Sequence, residues 1–165
     1  EEANRAIREK ASGDREMEGM GTTCTAVSIV GSSMIYGHVG DSRAYMVKAN
    51  SIERLTEDHT LAAELVGMGG TGKVAGQSAS SVLTRSLGSD SDVRVDVAPE
   101  PIALTEGTSI VLCSDGLSNL IEDKEIADIV NSESPEDACE TMVELARARG
   151  GPDNITVVVG KVEAS

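Results

Sequence analysis

The sequence has no Trp, no Phe and only two Tyr among 165 residues. Any core must therefore be assembled from Val, Ile, Leu, Ala and Met, small side chains that suit a sheet-rich layered interior. Cations are scarce too, with 14 Lys and Arg against 28 Asp and Glu and a net charge of −14. A field of that sign repels phosphodiester backbones and anionic lipid, which argues against nucleic acid and membrane as partners. No apolar run approaches the roughly 18 residues of a membrane span, and no basic-then-apolar leader opens the chain. Cys24, Cys113 and Cys139 are odd in number and far apart, so neither a disulfide framework nor a zinc site is suggested, and a reducing cytoplasm fits best. The chain opens on Glu1 rather than Met, which leads us to expect residues upstream of it.

What is present reads as a mixed α/β chain. No internal repeat or second boundary is visible, and the length suits a single domain over residues 1–165 that buries roughly 70% of its unfolded surface. Residues 3–11 place Ala3, Ala6, Ile7 and Ala11 at helical spacing, with Gly13 as a stop. From Thr22 the period becomes that of strands: TTCTAVSIV, a GSS turn and MIYGHVG predict one hairpin, and RAYMV and SIERL a second. DHTLAAELVGM predicts a short helix with Asp58 as N-cap. Residues 67–81 are rich in Gly and Ser and are expected to form a mobile flap or a plain flexible loop. VRVDV alternates as a half-buried strand, and TSIVLC reads as a central one. DKEIADIV predicts a helix, and another starts at Ser134 as N-cap with Pro135 in the first turn. Its apolar face is Ala138, Cys139, Met142, Val143 and Leu145, and Gly150 and Gly151 stop it. NITVVVGKV closes the chain as a strand.

The order strand, Ser114-Asp115-Gly116, two helices, then Gly151-Pro152-Asp153-Asn154 and strand carries the chemistry. If the two strands are antiparallel neighbours, Asp115 and Asp153 share one rim. Two converging carboxylates repel unless a proton or cation lies between them, and an oxygen-only site of that kind suits Mg²⁺ or Mn²⁺. The competing reading is structural, because Asp-Gly and Pro-Asp are common turn dipeptides. Asp41, in His38-Val39-Gly40-Asp41-Ser42-Arg43, is a third Asp at a strand exit or a turn former that caps backbone N–H groups. Arg85 is a candidate for phosphate contact or for support of its own turn. His59 is expected to pack near a helix start, and His38 is assigned no chemistry.

Six segments in order resemble the motif series of the bacterial PPM (PP2C-like) protein serine/threonine phosphatases: GMGTT at 19–23, GHVGDSRAY at 37–45, LTEDHT at 55–60, LTRSLG at 83–88, CSDGL at 113–117 and DNITV at 153–157. The resemblance implies a four-layer αββα sandwich of two mainly antiparallel sheets flanked by helices. It implies two Mn²⁺ or Mg²⁺ ions with Asp115 and Asp153 as ligands, a third, more weakly held ion at Asp41, and Asn154 as a residue that orients its neighbour. Ser114 and Gly116 flank the metal-side Asp. Gly19, Gly21, Thr22 and Thr23 look structural, opening a strand where backbones pack closely.

The family pattern begins with a phosphate-holding Arg and an Asp-Gly-x-Gly-Gly-His segment, and neither occurs before Gly19. The resemblance therefore implies an N-terminally truncated fold with an exposed sheet edge that invites self-association. The expected function of the parent enzyme is metal-dependent hydrolysis of phosphoserine and phosphothreonine on proteins, with phosphorylated proteins and bacterial Ser/Thr kinases as partners. The 165-residue chain alone is expected to be impaired. The alternative is a catalytically silent, PP2C-like binding or regulatory module.

Overall fold

A helix at Glu2–Gly13 is followed, from Thr22 onward, by ten short strands and four further α-helices among the described residues. The computed structural model describes residues 1–49, 51–74 and 77–163. In chain order the elements are α1 (Glu2–Gly13), β1 (Cys24–Val30), β2 (Ser33–Val39), β3 (Arg43–Lys48), β4 (Ser51–Arg54), α2 (Leu61–Gly67), β5 (Lys73–Val74), β6 (Gln77–Ser78), β7 (Asp96–Val97), β8 (Ile102–Ala103), β9 (Ser109–Cys113), α3 (Asp115–Ser118), α4 (Asp123–Ser132), α5 (Pro135–Ala148) and β10 (Val157–Lys161). One sheet contains β1, β2, β7 and β8, with β7 and β8 both on β2, and the other runs β10-β9-β3-β4. The pairings β2 with β7 and β8, and β9 with β3 and β10, are antiparallel, as expected. Two compact units emerge, one of Glu1–Ser28, Ile35–Asp41 and Glu57–Pro99, the other of Ile29–Met34, Ser42–Thr56 and Glu100–Ser165.

In the second unit the strand period of two and the helix period of 3.6 meet on one face. Tyr45 and Val47 of β3 and Val111 and Cys113 of β9 point at Leu117 and Ile121, at Ile126, Ala127 and Val130 of α4, and at Ala138, Met142 and Ala146 of α5. Ala138 and Ala146, two turns apart on either side of Met142, let α5 lie close to the sheet. Tyr45 is the one aromatic residue of this cluster; it is fully buried, and its hydroxyl donates to Asp123 Oδ1 at 3.0 Å. Burial pushes its phenol well above the ordinary range. Ile110 and Met46, on the opposite face of their strands, are buried as well, which explains why TSIVLC is apolar throughout.

Helix α5 starts as expected, with the Ser134 hydroxyl accepting from Asp137 N–H at 3.2 Å and Pro135 in the first turn. Helix α4 adds a capping box between Glu122 and Glu125 that the sequence reading had not singled out.

Three expectations need correction. The N-cap of α2 is Thr60, whose hydroxyl accepts from Ala63 N–H at 3.2 Å, and not Asp58, because the helix begins two residues later than the apolar spacing suggested. In VRVDV only Asp96 and Val97 pair, opposite His38 and Gly37 of β2; alternation defines faces but does not supply a neighbouring strand. On α1 the buried residue is Asn4 rather than the alanines. Its side chain donates to Asp90 O at 2.9 Å and accepts from Gly88 N–H at 2.7 Å, tying down the loop after LTRSL.

The flap expected over 67–81 falls in part on residues 75 and 76, which lie outside the described residues. Around them β5 pairs with β6, Ala79 N–H donates to Gly72 O at 3.3 Å, and Leu61 N–H to Val82 O at 2.8 Å. Among the described residues, β1 and β10 each have a neighbouring strand on one side only. No helix is long and apolar enough to cross a membrane. None of Cys24, Cys113 and Cys139 is in a disulfide.

Met142 is fully buried, at 0% accessible, whereas Val158 on the outer strand is 56% accessible. Met142→Ala is expected to cost about 2–5 kcal/mol in urea denaturation, and Val158→Ala less than about 0.5 kcal/mol. Equal losses for the two would contradict a core placed between the sheet and α5.

Candidate metal centre

In the second unit, the register of β10 on β9 sets Val157 opposite Cys113, so the exit of one strand meets the entry of the other. The stitch continues past the strands. Ser114 N–H donates to Thr156 O at 3.0 Å, the Ser114 hydroxyl accepts from Thr156 N–H at 3.0 Å, and it donates to Asn154 O at 3.2 Å. Gly116 lies so close to Asn154 that a Cβ there would run into the Asn154 carbonyl and stand 3.5 Å from Asp153 Cβ. Asp115, at the first turn of α3, and Asp153, in the loop before β10, are thus brought to one rim, as the antiparallel reading required.

Each carboxylate already has a local partner. Asp153 Oδ1 accepts from Asn154 N–H at 2.7 Å, and Asp115 Oδ2 from the Asn119 amide at 3.4 Å. The described contacts of Asn154 with this rim run through its backbone. The donor set at the rim is hard oxygen, which fits Mg²⁺ or Mn²⁺ as part of a ligand shell. Among the described residues no three His, Cys, Asp or Glu side chains stand together as a metal cluster.

In the first unit, the GMGTT segment pairs with LTRSLG through Thr22 N–H to Leu87 O at 2.9 Å and Leu87 N–H to Thr22 O at 2.8 Å. Asp41 follows Gly40, whose φ of +114° is a conformation that favours glycine. A Cβ on Gly40 would collide with the Thr23 side chain, so the turn before Asp41 is pressed against the start of β1.

Behind this turn lies a polar interior that sequence reasoning missed. His59 is buried; its Nδ1 accepts from Gly40 N–H at 3.1 Å, and its Nε2 lies 2.9 Å from Asp96 Oδ2. Arg85 grips the same carboxylate with both terminal nitrogens, at 2.7 Å and 3.4 Å. His38 lies against His59 with ring centroids 4.6 Å apart and ring planes tilted by 47°, its Nδ1 2.8 Å from the Thr25 hydroxyl and its Nε2 3.0 Å from Glu57 O. Asp96 gave a signal only as a polar position in VRVDV, and His59 only as a residue expected to pack near a helix start.

Both imidazoles sit below their ordinary value of 6.5, chiefly because burial penalises the charged form. For His38 the nearby His59 adds to this, against the Glu57 carbonyl and the charges of Asp96 and Asp58. For His59 the Asp96 hydrogen bond opposes the shift and Arg85 supports it. The hydrogen bond from Arg85 holds the Asp96 carboxyl down to about 2.

Residues 1–155 match the protein phosphatase 2C family, and the chain belongs to it. A serine/threonine phosphatase, stp, of Listeria welshimeri is 35% identical over 165 residues, covering 96% of this chain and 64% of that protein. The structure of the Streptococcus agalactiae serine/threonine phosphatase aligns with a TM-score of 0.90 at 37% identity, over 99% of this chain and 67% of that one. The catalytic domain of the phosphatase PstP, solved in complex with two manganese ions, aligns with a TM-score of 0.81 at 31% identity over 98% of this chain and 67% of that one. The chain thus spans less than two thirds of the length of the Listeria relative.

A pH prediction follows from the two histidines, the only ones in the chain. Their folded pKa values lie below the unfolded one, so as pH falls through about 6.5 the unfolded state binds protons first and stability declines. Asp96 adds a separate loss only as pH falls from 3.8 towards about 2. Urea midpoints measured from pH 7.5 to 5 should fall, and the fall should shrink in the double variant His38→Gln, His59→Asn. An unchanged slope in that variant would rule the histidines out as its source.

Proposed function

We propose that the protein to which this chain belongs hydrolyses phosphoserine and phosphothreonine esters on proteins, using Mn²⁺ or Mg²⁺ held in part by Asp115 and Asp153. The observation that carries the reading is the convergence of these two residues, through the β9–β10 stitch, in a chain of the protein phosphatase 2C family. A divalent ion bound there supplies charge to the phosphoryl oxygens and lowers the pKa of a bound water. The chain's own residues supply oxygen donors and their placement. The Ser114 hydroxyl bridges the Thr156 and Asn154 backbones, and the missing side chain of Gly116 lets residues 115 and 153 approach. Asp41 is the third carboxylate, in the role of holding a further, weaker ion.

Two carboxylates make an incomplete shell for a pair of hard cations. The resemblance assigns a bridging Asp, a phosphate-holding Arg and a His acid to motifs that residues 1–165 do not contain. Phosphorylated proteins and the Ser/Thr kinases that act on them are the partner class, in the cytoplasm. The open side of β1 or β10 is where a completing segment or a second copy would add a strand.

The test compares hydrolysis of p-nitrophenyl phosphate and a phosphothreonine peptide by this chain and by a version extended with the family's opening motifs, across a Mn²⁺ titration. The extended protein should be the faster by orders of magnitude. In it, Asp115→Asn and Asp153→Asn should each lose at least the roughly 10- to 100-fold that removal of an outer-shell partner costs. Turnover that survives both substitutions would overturn the metal assignment. Peptide binding without turnover in the extended protein would favour a silent binding module instead.

A further inference from the structure

His59 touches residue 40 twice. Its backbone N–H donates to Gly40 O at 2.7 Å, and its ring Nδ1 accepts from Gly40 N–H at 3.1 Å. Both polar groups of the residue just before Asp41 are therefore satisfied by one residue 19 positions away in sequence. Because a backbone N–H can only donate, Nδ1 must be the unprotonated nitrogen, and the proton sits on Nε2, where it is donated to Asp96 Oδ2 at 2.9 Å.

Asp96 is itself placed twice. Its backbone lies opposite His38 on β2, two residues before Gly40, and its carboxylate is gripped by Arg85. The segment around Arg85 returns to the same place: Thr84 N–H donates to His59 O at 2.9 Å. The chain of contacts closes on itself from Gly40 through His59 and Asp96 to β2.

We propose that His59 is a positioning residue for Asp41: it clamps Gly40 through ring and backbone together, and Asp96 with Arg85 holds the ring in the tautomer that can do so. Gly40, with φ of +114° and pressed against Thr23, has no side chain of its own, and the ring bond holds its N–H in place one residue before Asp41. On this account Arg85 acts on the site through Asp96 and His59. The part of the proposal that concerns metal rests on Asp41 as a metal-side residue; the clamp itself does not.

Asparagine places its side-chain oxygen near where Nδ1 lies, and glutamine places its amide nitrogen near Nε2. His59→Asn therefore keeps the acceptor for Gly40 and loses the donor to Asp96, while His59→Gln does the reverse. Amide exchange at Gly40, read by NMR on the full chain, should speed up at least tenfold in His59→Gln and stay within about threefold of the unmodified protein in His59→Asn. Mn²⁺ titration of the extended, metal-binding protein should show weaker binding in His59→Gln, of the order of 10- to 100-fold, with His59→Asn restoring most of it. The nitrogen spectrum of the unmodified protein, which needs no variant to fold, should show Nδ1 as the unprotonated ring atom, coupled to the Gly40 amide. A proton on Nδ1, or a Gly40 amide equally protected in His59→Gln, overturns the clamp. If the extended protein binds no Mn²⁺ at all, the metal reading fails, and the exchange and tautomer measurements still decide the clamp.

Discussion

The pairing of β9 with β10, Cys113 opposite Val157, constrains both the core and the rim of the second unit. Side chains on a strand alternate between faces, so a slip of one residue in β10 would turn Val157 and Val159 away from the cluster around Tyr45, Leu117 and Met142 against which they pack. The same slip would break the contacts of Ser114 with residues 154 and 156 and separate Gly116 from Asn154. Core packing and carboxylate placement are thus enforced by one register.

The first unit places its Asp by different means. Behind Gly40 is a set of imidazole, carboxylate, guanidinium and backbone groups that satisfy one another. Such a network has narrow tolerances, since a lost partner leaves a buried polar group unpaired at a cost of about 1–3 kcal/mol. It is suited to holding a turn in one conformation, and a glycine pressed against Thr23 is a turn that needs holding.

The contrast explains what could be read in advance. The helices after residue 122 and the strands β3, β9 and β10 were legible because burial on one face leaves a period in the sequence. Ser134 and Pro135 marked a helix start through local chemistry alone. The rim was legible because Asp115 and Asp153 each abut such a strand. Thr60 caps its helix by the same local chemistry as Ser134, and Asp58 two residues earlier offered a competing cap. Asn4, Asp96 and the ring of His59 were not legible, because their partners are backbone groups or side chains up to 87 residues away, and hydrogen bonds of that kind impose no spacing on the chain. Arg85 illustrates the point: as a lone cation in LTRSLG it could be assigned to phosphate or to its own turn, and its partner proved to be Asp96, 11 residues on.

The poverty in aromatics has a practical side. The two tyrosines are divided one to each unit: Tyr36 lies on β2 within Ile35–Asp41, and Tyr45 lies in the core of the second unit. With no Trp to dominate the emission and no Phe, near-ultraviolet absorption and fluorescence of this chain come from these two phenols. Tyr45, buried and hydrogen-bonded to Asp123, reports only on the second unit, so replacing either tyrosine by Phe would turn the remaining one into a reporter of a single half of the molecule, with no dye attached.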